Sequence, residues 1–228
     1  MGDVDRDVID RLRRALIVSC QAGDESPLKG PGFAAAIARA AEIGGAGAVR
    51  ADGPEDVAAI RRAVTLPVVA IRTAVTDGYP VYITPDFDSA RALAAAGADV
   101  IALDGTGRPR VGGESVGRLI GRVHDELGLL VEADVDSVDE AIAAWAMGAD
   151  LIGTSVTGYV GNPARREPDI GLVRRLSEAL DRPIVAQRHY WTVEQVRAAF
   201  EAGAHAVVVG SAITDPVQLT RHFVEGMG

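Results

Sequence analysis

Short apolar runs along this 228-residue chain end in residues that can hold an anion or carry a proton: Gln21, Arg50, Thr73, Asp104, Glu132, Asp134, Thr154, Gln187, Arg188, His189, Gly210 and Ser211. Glu132 and Asp134 are two residues apart, so on a strand they share one face. A carboxylate on such a face loses solvation when buried, which raises its pKa toward that of a general acid or base. The competing reading of Glu132 is an ion pair with Arg50 or Arg72. His189 carries an imidazole that titrates near neutrality and shares the face of Gln187 if that strand runs on. Gly210-Ser211-Ala212 offers backbone N–H groups that an oxyanion can approach closely. Arg188 and His189 lie in a second loop of the same type.

Other residues carry less. His124, His205 and His222 fall in or beside helical segments and read as surface or packing residues. Lys29 is the single lysine among 23 basic residues, and in Lys29-Gly30-Pro31 it reads as a solvated loop residue. Tyr190 and Trp191 are neighbours in a chain that is only 4% aromatic, so they read as a stacking surface or a cover for a ligand. Cys20 is the only cysteine, which excludes an intrachain disulfide and a cysteine metal cluster.

The elements that must position these groups follow from a repeat. An Ala-rich amphipathic stretch, a glycine turn and a short apolar strand recur as AEIGGAGAVRADG, AAAGADVIALDGT, WAMGADLIGTSVT and FEAGAHAVVVGSA. Two further strands are entered through proline, in TLPVVAIR and DRPIVAQ, where the missing N–H belongs at a strand's first position. Strands are expected at 16–21, 46–50, 68–72, 100–104, 129–134, 151–154, 184–187 and 206–209, with helices between them, for example at 54–64, 115–127 and 192–202. Continuous apolar strands alternating with helices mean parallel strands buried on both faces. Eight such units predict an α/β fold, a single-domain (β/α)8 TIM barrel over residues 1–228 with a short N-terminal helix at about 3–14. In that fold strand C-terminal ends gather at one mouth, where the polar residues above converge.

The formal charge of -9, with no basic run, argues against nucleic acid. No apolar run approaches the roughly 18 to 20 residues that cross a bilayer, and the acidic first ten residues do not resemble a signal peptide, so a cytoplasmic protein with no membrane partner is expected. A homodimer is the default oligomer.

VSCQA, VRADGPED, VYITP, ALDGTGR, EADVDS, GTSVTGY and VVVGSAITDP, in that order, resemble the N-acetylmannosamine-6-phosphate 2-epimerase family over essentially the whole chain. The resemblance implies a (β/α)8 isomerase of amino sugar metabolism that removes and returns the proton at C2 of a phosphorylated amino sugar without a metal or organic cofactor. It implies substrate-binding roles for Gln21, Arg50, Asp104 and Asp134, with phosphate at Gly210 and Ser211. Thr73, Thr154, Tyr159 and Arg188 complete the expected substrate-binding set. The family's lysine, in a pattern Pro-x-x-Gly-x-x-Lys, falls at Thr73, and its glutamate, in Ala-Glu-Gly-Arg, falls at Gln187. Asp215 stands where the family usually has arginine. The resemblance therefore implies an altered catalytic centre in which Asp134, Glu132, Asp104, His189 and Gln187 are the candidates for proton transfer to a small anionic, phosphosugar-like substrate. Two alternatives are a non-catalytic phosphosugar-binding or regulatory barrel, and a barrel recruited as a cyclase or lyase of a specialised biosynthetic pathway.

Overall fold

The computed structural model describes residues 3–23, 25–156 and 166–227. Eight parallel strands close into a barrel in sequential order: β1 (Ala15–Ser19), β2 (Ala48–Asp52), β3 (Val68–Ile71), β4 (Val100–Asp104), β5 (Leu130–Asp134), β6 (Leu151–Gly153), β7 (Ile184–Ala186) and β8 (Ala206–Val209). Around it run α1 (Asp3–Arg11), α2 (Pro31–Ile43), α3 (Pro54–Ala63), α4 (Phe87–Ala96), α5 (Val116–Arg122), α6 (Val138–Ala146), α7 (Ile170–Ala179) and α8 (Val193–Glu201). A single helical turn α9 (Ser211–Thr214) and the C-terminal helix α10 (Pro216–Gly226) follow β8. None of the described helices is long and apolar enough to cross a membrane.

The repeat has a direct backbone cause. Each helix-to-strand turn contains a glycine at positive φ, Gly45 (88°), Gly97 (101°), Gly148 (102°) and Gly203 (100°), a conformation in which a Cβ would clash. The prolines predicted at strand entrances sit just ahead of β3 and β7, and only their carbonyls join the ladder: Pro67 accepts from Val49 N and Pro183 from Ile152 N, each at 3.0 Å. At the other end, helices start on side-chain caps at Asp86, Ser115, Ser137, Asp169 and Thr192.

Strand and helix boundaries depart from the sequence expectation by a few residues, for local reasons. α1 stops at Arg11 because Arg14 turns to φ 56° and donates its N–H to His205 O. The helix expected over 115–127 loosens into a π turn after Arg122 and ends at Gly128, φ 65°. β2 runs on to Asp52, which pairs with Ile71 of β3. β7 ends at Ala186, because Arg188 and His189 both adopt positive φ.

Alternation along the strands divides the core in two. Val49, Ala51, Ile101, Leu103, Val131, Ile152 and Val207 face outward against the helices. Ile17, Ala48, Val69, Val100, Leu130, Leu151, Val185 and Ala206 fill the barrel interior. The inward parity continues upward into Arg50, Glu132, Asp134 and Gln187, so the apolar plug is roofed by a polar layer. Gly203→Ala tests the repeat turn: its Cβ would lie 2.5 Å from Ser177 and would have to take a left-handed φ, so stability measured by urea denaturation falls by about 2 kcal/mol.

Candidate active site

The polar layer is organised by one guanidinium. Arg50 Nη1 donates to Glu132 Oε1 at 2.7 Å and Nη2 to Asp134 Oδ2 at 3.0 Å. Gln187 Nε2 donates to the same Glu132 Oε1 at 2.6 Å and to Asp134 Oδ1 at 3.3 Å. Thr154 locks Gln187 in place, its hydroxyl accepting from Gln187 N at 2.9 Å and donating to Gln187 O at 3.2 Å. Small residues make room: Glu132 is paired with Ala102 across β4, and Asp134 with Gly153 across β6. A Cβ on Gly153 would lie 2.7 Å from Gln187 Nε2 and would collide with Asp134 Oδ1, so glycine there is required by the cluster.

Both carboxylates are fully buried, and one positive charge faces two potential negative ones. Burial, only partly countered by Arg50 and reinforced by Asp134, pushes the Glu132 carboxyl up to about 7. Glu132 Oε1 already accepts from Arg50 and Gln187, while Oε2 has no partner. The proton therefore belongs on Oε2. For Arg50, burial works against the charged form, but Asp134 and Glu132 prevail and raise its pKa.

Above this layer opens a cavity of about 880 Å³ at the C-terminal mouth of the barrel. Arg50 and Gln187 form part of its wall, together with Ser19, Gln21, Asp52, Thr73, Ser155, Arg188, His189 and Ser211. Glu132 and Asp134 are not among the lining residues; they lie behind Arg50 and Gln187 and orient them. The ion-pair reading of Glu132 is thus the geometry found, with Arg50 as the partner and Arg72 exposed to solvent.

Of the remaining sequence candidates, Asp104 is turned to its own loop. Its Oδ1 accepts from Thr106 N at 2.9 Å and Thr106 Oγ1 at 2.6 Å, and its Oδ2 pairs with Arg108 at 2.8 Å. Thr154 acts through Gln187, as above. Tyr159 lies outside the described residues. Cys20 is buried, and its thiol is pushed up to about 12 by burial and by the charge of Asp56, so it is no nucleophile. His124 bonds Asp150 and His205 bonds Ile9 O, the packing roles expected for them.

Three sectors of the rim are charged. On the β2–β3 side Thr73 donates its N–H and hydroxyl to the two oxygens of Asp52, at 2.8 and 2.6 Å. Asp56 and Lys29 line the same sector, and burial followed by the charges of Asp52 and Glu55 raises the Asp56 carboxyl, with Lys29 opposing. Asp52 and Asp56 were not singled out from sequence, although Asp52 shares the inward parity of Arg50. Over β7, Arg188 and His189 adopt φ of 75° and 61°, a strained pair of non-glycine residues facing the cavity. Arg188 Nη1 donates to Ser155 O at 3.2 Å. After β8, Gly210 and Ser211 border the cavity beside Asp215, whose carboxylate caps α10 by accepting from Val217 N and Gln218 N. Tyr190 and Trp191 also line the mouth, and Trp191 stacks on His222 with ring centroids 4.8 Å apart.

Two measurements follow. The folded protein holds the Glu132 proton up to about pH 7 whereas the unfolded chain releases it near 4.5, so the native state binds more protons between these values and stability falls as pH rises across that window. Glu132→Gln flattens this slope in denaturation curves recorded from pH 4.5 to 7.5. Arg188→Gly relieves a left-handed arginine, raising stability in urea denaturation by about 1 kcal/mol.

Comparison with known proteins places these features in a family. Residues 34–228 match the family model described as "Putative N-acetylmannosamine-6-phosphate epimerase". A protein of Caldanaerobacter subterraneus subsp. tengcongensis named "Putative N-acetylmannosamine-6-phosphate 2-epimerase" is 42% identical over 220 residues, covering 96% of this chain and 93% of that one. Its namesake in Cutibacterium acnes is 44% identical over 229 residues, covering 99% of each chain. The solved structure of the N-acetylmannosamine-6-phosphate 2-epimerase from Clostridium perfringens superposes with a TM-score of 0.92 at 34% identity, covering 95% of both chains. Sequence and architecture agree over nearly the full length, and the chain belongs to the N-acetylmannosamine-6-phosphate epimerase family.

Proposed function

We propose that this protein interconverts N-acetylmannosamine 6-phosphate and N-acetylglucosamine 6-phosphate by proton transfer at C2, through a catalytic centre that differs from the family pattern at Thr73 and Gln187. The observation that carries this reading is the cavity wall itself, in which Arg50 and Gln187 are held by buried carboxylates and aimed at a pocket large enough for a sugar phosphate.

In the open-chain sugar C2 adjoins the C1 carbonyl. Breaking the C2–H bond sends the electron pair into a C1–C2 double bond and leaves negative charge on O1. A guanidinium at the floor of the site meets that charge without reorganising, because Glu132 and Asp134 already fix its plane. The phosphate is placed against the backbone of Gly210 and Ser211, with Arg188 beside it, and Gln21 faces the sugar from β1. His189 is the proton carrier on the β7 side. Glu132 and Asp134 act as positioning residues, since Arg50 and Gln187 stand between them and the cavity.

Incubation with N-acetylmannosamine 6-phosphate in deuterated water tests this. The expected result is the 2-epimer carrying deuterium at C2, followed by NMR. A fully protonated, unconverted sugar after long incubation would refute the proposal.

A further inference from the structure

The wall that closes the cavity between β8 and β1 includes Gln21, Gly23, Gly210, Ser211, Asp215 and Gln218. Of these residues Asp215 alone is charged, and its charge is negative. That is the reverse of the cations that usually hold a phosphate. The residue is only 4% exposed, and the single turn α9 ties it to the cradle: Thr214 N donates to Gly210 O at 3.0 Å and Asp215 N to Ser211 O at 3.3 Å.

Capping of α10 uses only half of this carboxylate. Oδ1 accepts from Val217 N at 3.0 Å and from Gln218 N at 3.1 Å, which completes the cap. Oδ2 accepts from Gln218 Nε2 alone among the described residues, at 3.1 Å, and sits beside Gly23, where a Cβ would come within 3.6 Å of it. A carboxylate oxygen has room for a second donor, and the residues around Oδ2 all line the cavity.

A phosphoryl group loses its second proton at roughly pH 6. As a dianion it offers Asp215 no donor and brings two negative charges to a third where water is scarce. As a monoanion it keeps one O–H to donate, while its other oxygens accept from backbone N–H groups. We infer that Asp215 makes this site selective for the protonated, monoanionic phosphate, with Oδ2 accepting the hydrogen bond from its hydroxyl. The inference rests on the placement of phosphate at Gly210 and Ser211 in the epimerase reading above.

Other charged and titratable groups face this end of the cavity. They are Arg188 and His189 on the β7 loop, Lys29 after β1, Asp52 and Asp56 on the β2 side and, on α10, Arg221 paired with Glu25 and His222 stacked on Trp191. An imidazole that loses its charge as pH rises weakens the binding of any anion. Two esters of one sugar cancel that effect. N-acetylglucosamine 6-phosphate and N-acetylglucosamine 6-sulfate share size and shape, but the sulfate ester is a monoanion without a proton throughout this pH range.

Dissociation constants of both esters are measured by calorimetry with the wild type and Asp215→Asn, at about pH 5 and about pH 8, on either side of the phosphoryl ionisation. At the lower pH the wild type binds the phosphate ester about 10- to 100-fold more tightly than the sulfate ester, the worth of one hydrogen bond to a charged group. That ratio falls at the higher pH. Asparagine caps a helix as well as aspartate does, so Asp215→Asn folds normally, which circular dichroism verifies. In this variant the ratio is near one at the lower pH and rises with pH, because the dianion now gains from Arg188 without meeting a carboxylate. A wild-type ratio near one at the lower pH, a wild-type ratio that rises with pH, or an Asp215→Asn protein that matches the wild type overturns the assignment of Asp215 and leaves the epimerase reading intact. Failure to bind either ester, together with failure to exchange the C2 proton, overturns both.

Discussion

A single guanidinium inside a closed barrel sets the conditions for the rest of this site. Arg50 is buried against two carboxylates, and among the described residues of that layer it supplies the positive charge. Breaking a buried pair of this kind leaves an uncompensated charge and costs about 3–5 kcal/mol, so the surrounding residues are tightly constrained. Gly153 and Ala102 are small because the carboxylates occupy their space, Gln187 turns its amide inward to satisfy Glu132, and Thr154 holds the backbone of Gln187. Burial raises the Glu132 carboxyl to about 7, which eases the excess negative charge of the layer.

This arrangement changes what the cavity presents to a ligand. Carboxylates two residues apart on one strand look like an acid–base pair, but the side chains of Arg50 from β2 and Gln187 from the end of β7 reach across the barrel and cover them. The floor of the cavity therefore presents the guanidinium of Arg50, a hydrogen-bond donor suited to oxygen atoms that gain negative charge. Lys29, Arg188 and His189 line the rim, carried by loops rather than strands. At the rim the backbone is strained at Arg188 and His189, while the loop after β3 folds back through a bridge between Thr73 and Ile83. Rigid strands fix the floor and irregular loops shape the opening, the usual division of labour in a (β/α)8 enzyme.

Much of the architecture was legible because it is local. The Ala-rich stretch, positive-φ glycine and apolar run in AAAGADVIALDGT encode a helix, its stop and a buried strand through interactions within a dozen residues, and repetition of that unit leads to the barrel. Pro67 and Pro183 mark strand entrances for the same reason. Element ends were less legible where a distant partner sets them: Arg14 turns because its N–H meets His205, and β2 lengthens because Asp52 finds Ile71. Among the residues that line the cavity, Arg50, Gln187, His189, Gly210 and Ser211 are reached by counting to strand ends, whereas Asp56 is not, because its place at the mouth is set by how α3 packs against the barrel.

By itself the sequence determined the eight strand–helix units, the parity that points Arg50, Glu132, Asp134 and Gln187 inward, and the inventory of charges at the mouth. Only the tertiary structure decided which of those inward groups touch the cavity and which lie beneath it. Parity gives a direction, but depth depends on side-chain length and on the register between strands far apart in the chain: Glu132 meets Arg50 across 82 residues and Gln187 across 55. Burial at that depth, not residue type, raises the Glu132 carboxyl and makes it a brace for Arg50 and Gln187.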